Sequence, residues 1–338
     1  MAKVIAIANQ KGGVGKTTTA INLSAALGET QRRVLLVDMD PQGNATTGSG
    51  VDKETLELSV CDVLLGGCGV KEAVFSPEHI KYDVLPSNAD LTAAEVQLMP
   101  QRGRERRLAQ ALAEISDDYE YIYIDCPPSL NVLTLNAFVA AHGVLIPMQC
   151  EYYALEGLSS LLRTIKQVQA TVNPKLGIEG ILRTMFDGRL KLGHEVSNQL
   201  IEHFEAKVYR TIIPRNTRLA EAPSFGQPIV YYDKSSRGSI AYLALAGEII
   251  RREVSRQAAI QQQGQQAGQQ DSQNGAERRT QHSEQMMDQQ YSAENQNQLS
   301  RDVVTDAQND GAADVEIKSR DNLVIPVCNC RVEINCPD

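Results

Sequence analysis

The chain has 338 residues, of which 42% are hydrophobic, enough to bury a substantial core. Residues 257–338 hold thirteen acidic and six basic side chains, which is −7 of the formal net charge of −9 and leaves only −2 for residues 1–256. This balance excludes global attraction to a polyanion, so an anionic partner must bind a local basic patch. No apolar run approaches the length that crosses a membrane.

The start of the chain and its cysteines indicate a cellular compartment. The first apolar run follows directly after Met1-Ala2-Lys3, without the charged and then apolar leader of a secreted protein. The seven cysteines are scattered and odd in number, which favours reduced thiols over a disulfide scaffold. We therefore expect a cytoplasmic protein.

The first element in chain order is a glycine-rich loop between a strand and a helix. The apolar run Val4–Ala8 predicts a buried strand, and Ala20–Leu27 predict a helix. Between them stands N-Q-K-G-G-V-G-K-T-T-T, residues 9–19. This order is typical of a P-loop, in which backbone N–H groups and a helix N-terminus surround phosphate oxygens. The pattern predicts a nucleoside triphosphate site.

Two lysines in this loop have different expected roles. Lys16 is expected to neutralise the β- and γ-phosphates, and Thr17 to ligate Mg²⁺. The other residues predicted to bind the nucleotide here are Gly12, Gly13, Val14, Gly15 and Thr18. The usual first glycine is replaced by Gln10, and a second lysine, Lys11, follows it. A lysine so early in the loop is poorly placed for its own phosphates but can reach those of a facing copy of the protein.

Two acidic residues follow predicted buried strands. After the strand Arg33–Val37, Asp40 is expected at the ligand edge of the sheet, where it can hold the metal's water or the attacking water. The run Tyr121–Ile124 ends in Asp125, an arrangement typical of a Walker B carboxylate that holds Mg²⁺ through water. The sequence therefore predicts a magnesium site made by Thr17, Asp40 and Asp125.

Strands and helices alternate through the rest of the chain. Further strands are expected at Tyr82–Pro86, Gly143–Cys150, Leu176–Met185 and Val208–Ile213, and further helices at Val60–Leu65, Leu91–Met99, Arg102–Ile115, Glu151–Val172, Leu190–Phe204 and Ser239–Val254. The alternation predicts an α/β fold with a doubly wound, mostly parallel sheet of seven or eight strands flanked by helices. We expect one domain over residues 1–256 and a glutamine-rich, acidic, disordered tail over residues 257–338.

Taken together, the motifs resemble those of the ParA/Soj chromosome partitioning ATPases, within the ParA/MinD superfamily with its deviant Walker A loop. Besides the loop, the likeness includes D-P-Q-G-N-A-T from Asp40, D-C-P-P-S-L from Asp125, E-Y-Y-A-L-E-G from Glu151, V-Y-R-T-I-I-P-R-N from Val208 and E-A-P-S-F-G from Glu221. It covers roughly residues 2–256 of the chain.

This resemblance implies a weak ATP hydrolase that uses ATP and Mg²⁺ and dimerises when ATP is bound. A centromere-binding ParB/Spo0J partner is expected to stimulate hydrolysis. By position, Lys11 is the signature lysine, Lys16 the P-loop lysine and Asp40 the residue needed for hydrolysis, while Pro214 and Asn216 are expected to border the adenine. The resemblance thus predicts a nucleotide switch that serves chromosome or plasmid partitioning.

The same resemblance implies that the dimer binds nucleoid DNA without sequence preference. Arg189 and Arg218 match positions that the family assigns to DNA. Further basic residues in this half of the predicted domain are Lys191, Arg215, Lys234 and Arg237. Contacts to phosphates alone give salt-sensitive binding without sequence readout. Because a dimer doubles those contacts, dimerisation would control binding to DNA.

Several other interpretations stay open from the sequence. A MinD-like spatial regulator of cell division would use the same switch on membranes, although Ser239–Val254 has few of the bulky apolar residues of a membrane-binding helix. A regulatory DNA-binding protein would need little hydrolysis. A cysteine near Cys126 holds the iron–sulfur cluster of the related nitrogenase iron protein, but a small buried thiol fits this position better. The C-terminal cysteines could ligate zinc if another chain or a distant histidine gave the fourth ligand: Cys328, Cys330 and Cys336.

Overall fold

A parallel β-sheet organises the part of the chain that the computed structural model describes, which is residues 1–259, 261, 281–282 and 285–292. Within these residues the sheet has seven strands: β1 (Lys3–Ile7), β2 (Val34–Asp38), β3 (Asp83–Leu85), β4 (Tyr121–Asp125), β5 (Gly143–Gln149), β6 (Gly177–Phe186) and β7 (Val208–Pro214). The strand order is β3-β2-β4-β1-β5-β6-β7, and every neighbouring pair is parallel. The predicted doubly wound parallel sheet is confirmed.

Helices cover both faces of this sheet. In the described part of the chain they are α1 (Lys16–Glu29), α2 (Asn44–Gly48), α3 (Val60–Leu65), α4 (Val70–Ala73), α5 (Leu91–Leu98), α6 (Arg107–Ala113), α7 (Val132–Ala140), α8 (Ala154–Thr171), α9 (Lys191–Phe204), α10 (Thr217–Glu221), α11 (Ile229–Tyr232) and α12 (237–259). Short 3₁₀ helices lie at Arg104–Arg106, Glu205–Lys207 and Ala222–Phe225. Met1–Ala258 form one compact unit.

The sheet separates two hydrophobic cores, because successive side chains of a strand point to opposite faces. Val4 and Ala6 of β1 pack with α3–α9 on one face, whereas Ile5 and Ile7 pack with α1, α2 and α10–α12 on the other. A strand that is buried on both faces needs an unbroken apolar run, which is the pattern that made β1 predictable from the sequence.

Several helices of the described chain differ from the prediction, and five were not predicted: α2, α4, α7, α10 and α11. The apolar helix α7 was not predicted, although Asn131 caps it by accepting hydrogen bonds from two backbone N–H groups. The helix predicted at Arg102–Ile115 is shorter, because Gly103 adopts a left-handed backbone (φ 70°) before a 3₁₀ turn and α6. The helix predicted from Glu151 begins three residues later, at Ala154.

Helix α12 corresponds to the segment considered above as a membrane-binding helix of a MinD-like protein. Tyr242, Leu245 and Ile249 place one face of α12 in the core. Within the described residues, none of the helices combines the length and the apolar character needed to cross a membrane.

Most of the predicted tail lies outside the described residues. The described residues of that tail are helical: 257–259, which continue α12, and 261, 281–282 and 285–292. The expectation of disorder for the rest, and the zinc hypothesis for the C-terminal cysteines, fall outside the description and stay predictions.

Candidate nucleotide-binding site

The glycine-rich loop connects β1 to α1 at the carboxyl edge of the sheet. Because β1 lies between β4 and β5, the loop sits at the centre of the edge where ligands of open α/β sheets bind. Gly13 (φ 69°) and Gly15 (φ 85°) adopt left-handed backbones, which favour glycine. Gly15 precedes α1 without a side-chain cap, so the first N–H groups of the helix remain available to an anion.

Lys16 is a buried cation at the start of α1. Its side chain is 7% exposed, and its Nζ lies 3.4 Å from the carbonyl oxygen of Lys11. Burial lowers the pKa of Lys16, while the nearby carboxylates of Asp125 and Asp40 act in the opposite direction. In the described part of the chain no carboxylate forms an ion pair with Lys16. A buried ammonium group without an ion-pair partner is suited to an anionic ligand.

Asp125 is the matching buried acid at the end of β4. Neither of its carboxylate oxygens has a hydrogen-bond partner among the described residues. Burial raises the pKa of Asp125 well above its usual range, with a further contribution from Asp38, whereas Thr17 and Lys16 act in the opposite direction. Oxygen ligands without partners, beside the hydroxyl of Thr17, fit a hydrated Mg²⁺ ion. The assignment of Thr17, Asp40 and Asp125 to a magnesium site stays a prediction.

A second buried carboxylate, Asp38, fixes the loop that carries Asp40. Its Oδ2 accepts hydrogen bonds from the backbone N–H and the hydroxyl of Thr46, both at 2.8 Å, and its Oδ1 accepts one from the Asp40 N–H at 3.1 Å. Burial raises the pKa of Asp38 to about 6. Ser87, after β3, donates from its hydroxyl to the Asp40 carbonyl and from its N–H to the Thr46 hydroxyl, both at 2.9 Å. Hydrogen bonds from the ends of both β2 and β3 therefore fix the loop that carries Asp40.

Gly43 in this loop has no room for a side chain. Its φ is 62°, and a Cβ atom there would lie 2.7 Å from the Ser87 carbonyl oxygen. The matched control is Gly66, which has φ 80° but no atom within 4 Å of such a Cβ. We expect Gly43→Ala to lower the free energy of unfolding by about 1 to 3 kcal/mol more than Gly66→Ala, because it adds overpacking to the same backbone strain. Urea unfolding measures both losses, and equal losses would contradict a close contact with Ser87.

Lys11, unlike Lys16, has an exposed side chain that forms an ion pair. Its Nζ lies 2.6 Å from Oε2 of Glu151, and the two side chains are 43% and 50% exposed. The Lys11 N–H donates to Oδ1 of Asn9 at 3.0 Å, and Nδ2 of Asn9 donates to the Pro147 carbonyl at 2.8 Å. The loop is therefore anchored to β5, while the ammonium group of Lys11 remains at the surface.

The residues predicted to border the adenine lie at the same edge of the sheet. The hydroxyl of Thr184 in β6 donates to the Val14 carbonyl at 2.8 Å, which joins the glycine-rich loop to β6. Pro214 ends β7 and pairs with the last residue of β6. Asn216 caps α10, since its Oδ1 accepts a hydrogen bond from a backbone N–H of that helix at 3.3 Å. The structure thus brings both residues to the edge where the loop lies.

The two arginines predicted to contact DNA are exposed and ion-paired. Arg189 is 88% exposed and donates to both carboxylate oxygens of Asp187, at 2.9 and 2.6 Å. These hydrogen bonds hold the pKa of Asp187 well below its usual range. Arg218 pairs with Glu221 at 2.9 Å and with Asp233 at 3.6 Å. Each arginine therefore has a local counterion, and the assignment to DNA stays a prediction.

Some residues of the site were not singled out from the sequence. Asp38 ends the strand that precedes Asp40, so its position was an available signal, whereas the position of Ser87 after a predicted strand had already placed it on the ligand side of the sheet. Asn9 and Thr184 act through contacts with distant backbone carbonyls, for which the sequence carries no local signal.

Comparisons with known proteins agree with this geometry. Residues 2–178 match a family model described as AAA domain, AAA_31. The chain is 52% identical over 249 residues to the sporulation initiation inhibitor protein Soj of Bacillus subtilis (strain 168), covering 74% of this chain and 98% of Soj. It is 51% identical over 258 residues to the chromosome partitioning protein ParA of Caulobacter vibrioides (strain NA1000 / CB15N), covering 76% and 97% of the two chains.

Solved structures show the same likeness. A crystal structure named cobyrinic acid a,c-diamide synthase, from Mycobacterium smegmatis with a bound ATP analogue and magnesium, has a TM-score of 0.66 at 41% identity, covering 75% of this chain and 97% of that one. The cell division ATPase MinD of Pyrococcus furiosus has a TM-score of 0.63 at 29% identity, covering 74% and 99%. The match to the family model and the identity to Soj and ParA show that the chain belongs to the ParA/Soj family of chromosome partitioning ATPases.

Proposed function

We propose that this chain is an ATP- and Mg²⁺-dependent partitioning ATPase that alternates between a monomer and an ATP-bound homodimer. The proposal rests on the different environments of two lysines in one loop. Lys16 is buried at the start of α1, whereas Lys11 points to the surface and pairs with Glu151. An exposed lysine at the edge of a phosphate site is available to the triphosphate of a second copy.

Within one subunit, the chain's own residues bind and orient the nucleotide. The free N–H groups of α1 and the ammonium group of Lys16 neutralise the triphosphate. Thr17, Asp40 and Asp125 would hold Mg²⁺, directly or through water, and the ion when bound supplies charge that balances the phosphates. Asp40 orients the attacking water, and Pro214 and Asn216 border the adenine. The partnerless oxygens of Asp125 support this assignment.

The loop after β2 is the part that responds to the nucleotide. Asp40 shares it with Thr46, and both are held by hydrogen bonds to Asp38 and Ser87. A displacement of Asp40 toward the γ-phosphate is therefore transmitted to the ends of two strands. Such a loop can distinguish ATP from ADP.

The dimer binds DNA through phosphate contacts, and a ParB/Spo0J-type partner stimulates hydrolysis and resets the switch. Relatives named for chromosome partitioning support this cycle. Residues 1–256 act as the ATPase domain, followed by a tail over residues 257–338. The protein works in the cytoplasm, on the nucleoid.

Co-sedimentation tests this function against a MinD-like role on membranes. We expect the full chain to be retained on DNA when ATP and Mg²⁺ are present, and not on vesicles of anionic phospholipid. The buried face of α12 supports this expectation, since Tyr242, Leu245 and Ile249 pack in the core. Retention on vesicles but not on DNA would contradict the proposal.

The ion pair of Lys11 with Glu151 gives a prediction of its own. In the proposed dimer, Lys11 must leave Glu151 before it reaches the partner's phosphates. An exposed ion pair contributes about 0.2 to 1 kcal/mol, and two of them break when the symmetric dimer forms, so Glu151→Gln should lower the dissociation constant of the ATP dimer by up to about thirtyfold. Sedimentation velocity over a range of concentrations measures this constant.

Glu156→Gln is the matched control for this variant. Glu156 is the next acid in the same segment and has no ion-pair partner in the described part of the chain. We expect it to leave the dissociation constant of the dimer unchanged. The same constant in both variants would contradict a restraint of Lys11 by Glu151.

A further inference from the structure

A basic cleft of about 770 Å³ lies beside β7, the edge strand of the sheet. We name it the β7 cleft. Three glutamates line it together with six basic residues, which are Arg183, Lys207, Arg210, Arg251, Arg252 and Arg256. Because residues 1–256 carry a net charge of only −2, such a surplus of positive charge is a local feature. It lies outside the nucleotide site described above.

Two of the glutamates in the β7 cleft are already fully engaged. Glu248 accepts hydrogen bonds from the N–H groups of Arg210 and Thr211, both at 2.9 Å, and pairs with Arg252 at 2.7 Å. Glu179 pairs with Lys3 at 2.8 Å and with Arg256 at 3.6 Å. Neither acid forms an ion pair with Arg210 or Arg251, and the third glutamate of the cleft, Glu205, forms no ion pair among the described residues.

Three arginines in the cleft lack an acidic partner among the described residues. Arg210 and Arg251 are exposed and form no ion pair. Arg183 is only 6% exposed, and its Nε has no hydrogen-bond partner. Its two Nη atoms donate to the Ser197 hydroxyl at 2.8 Å and to backbone carbonyls of β7 at 2.8 and 3.2 Å. Burial lowers the pKa of Arg183, as expected for a cation whose charge is incompletely balanced.

We propose that the β7 cleft binds backbone phosphates of DNA through Arg210 and Arg251, with the buried charge of Arg183 behind them. The inference rests on the proposed function and adds a second contact surface to it. The arginines expected to contact DNA by resemblance already have counterions: Arg189 has Asp187, and Arg218 has Glu221. Guanidinium groups without a counterion bind phosphate without first breaking an ion pair. Arg210 of β7 and Arg251 of α12 line the same cleft, so both are available to the phosphates of the duplex that the proposed dimer binds.

The salt dependence of DNA binding tests the inference directly. We expect the full-length double variant Arg210→Gln/Arg251→Gln to bind duplex DNA more weakly with ATP and Mg²⁺ present. Each lost phosphate contact should reduce the slope of log K against log salt by about 0.9, so the slope should fall by about 1.8 per protomer. The variant Arg210→Lys/Arg251→Lys keeps the charges and should keep the slope. Lys166→Ala should also keep it, because Lys166 of α8 is exposed and forms no ion pair with any residue that the structure describes.

This experiment separates failure of the β7 cleft inference from failure of the proposed function. If the wild-type chain does not bind DNA, the proposed function itself is wrong and the inference falls with it. If the wild type binds and the glutamine variant keeps both its ATP dimer and the full salt slope, only the β7 cleft is refuted. If the wild type binds both DNA and anionic vesicles and the glutamine variant loses only the vesicles, the β7 cleft is a lipid site and the inference is overturned. Thermal unfolding of the glutamine variant confirms that a weaker interaction does not come from misfolding.

Discussion

Replacing Lys16 with alanine is expected to abolish ATP binding and the ATP-dependent dimer together. Lys16 is 7% exposed and has no ion-pair partner in the described chain, so the triphosphate is its expected counterion. Removing one partner of a buried charge pair costs about 3 kcal/mol or more, which weakens ATP binding by about 10²-fold or more. Titration with a fluorescent ATP analogue measures the affinity, and sedimentation velocity measures the dimer.

The thermal stability of the same variant separates lost binding from lost folding. Without nucleotide, Lys16→Ala should unfold at or above the temperature of the wild type, because it removes a desolvated charge. ATP should stabilise the wild type by about 2.7 kcal/mol at one hundred times its dissociation constant, and the variant should gain nothing. A variant that still dimerises on ATP would contradict the coupling of the two events.

Replacing Asp40 with alanine should have the opposite effect on the dimer. Asp40 is expected to orient the attacking water, so hydrolysis should fall by about 10²-fold or more while ATP still binds. The ATP dimer should then accumulate and stay on DNA. Release of phosphate measures hydrolysis, and the half-life of the protein on DNA after dilution measures the trapped state.

Asp52→Ala is the matched control for this experiment. The carboxylate of Asp52 accepts a hydrogen bond from the Glu54 N–H at 3.1 Å, just as that of Asp40 accepts one from the Gln42 N–H at 3.0 Å. Both substitutions therefore remove the same kind of turn contact. If Asp40→Ala is released from DNA as fast as Asp52→Ala, the role assigned to Asp40 is wrong.

The central strands were predictable from the sequence because they are buried on both faces and therefore appear as unbroken apolar runs. Ile122 and Ile124 of β4 face one core while Tyr121 and Tyr123 face the other, so the strand appears as an apolar run that ends at Asp125. A strand, a glycine-rich loop and a helix in succession left few alternatives to a phosphate site.

What escaped prediction depends on contacts between distant parts of the chain. Lys11 and Glu151 are 140 positions apart, so their ion pair could not be read from either motif. Arg183 is a buried charge in β6, and its burial is compatible with the fold because the pairing with β7 is irregular there and backbone carbonyl groups of β7 accept its hydrogen bonds. The network around Asp38 likewise depends on the position of Ser87 after β3.

The mass of Lys11→Ala in saturating ATP and Mg²⁺ tests the central claim most directly. Light scattering should report twice 37.0 kDa for the wild type and 37.0 kDa for the variant, although both bind ATP. That result is expected if Lys11 of one subunit contacts the triphosphate of the other. A Lys11→Ala chain that forms the ATP dimer as tightly as the wild type would contradict the account.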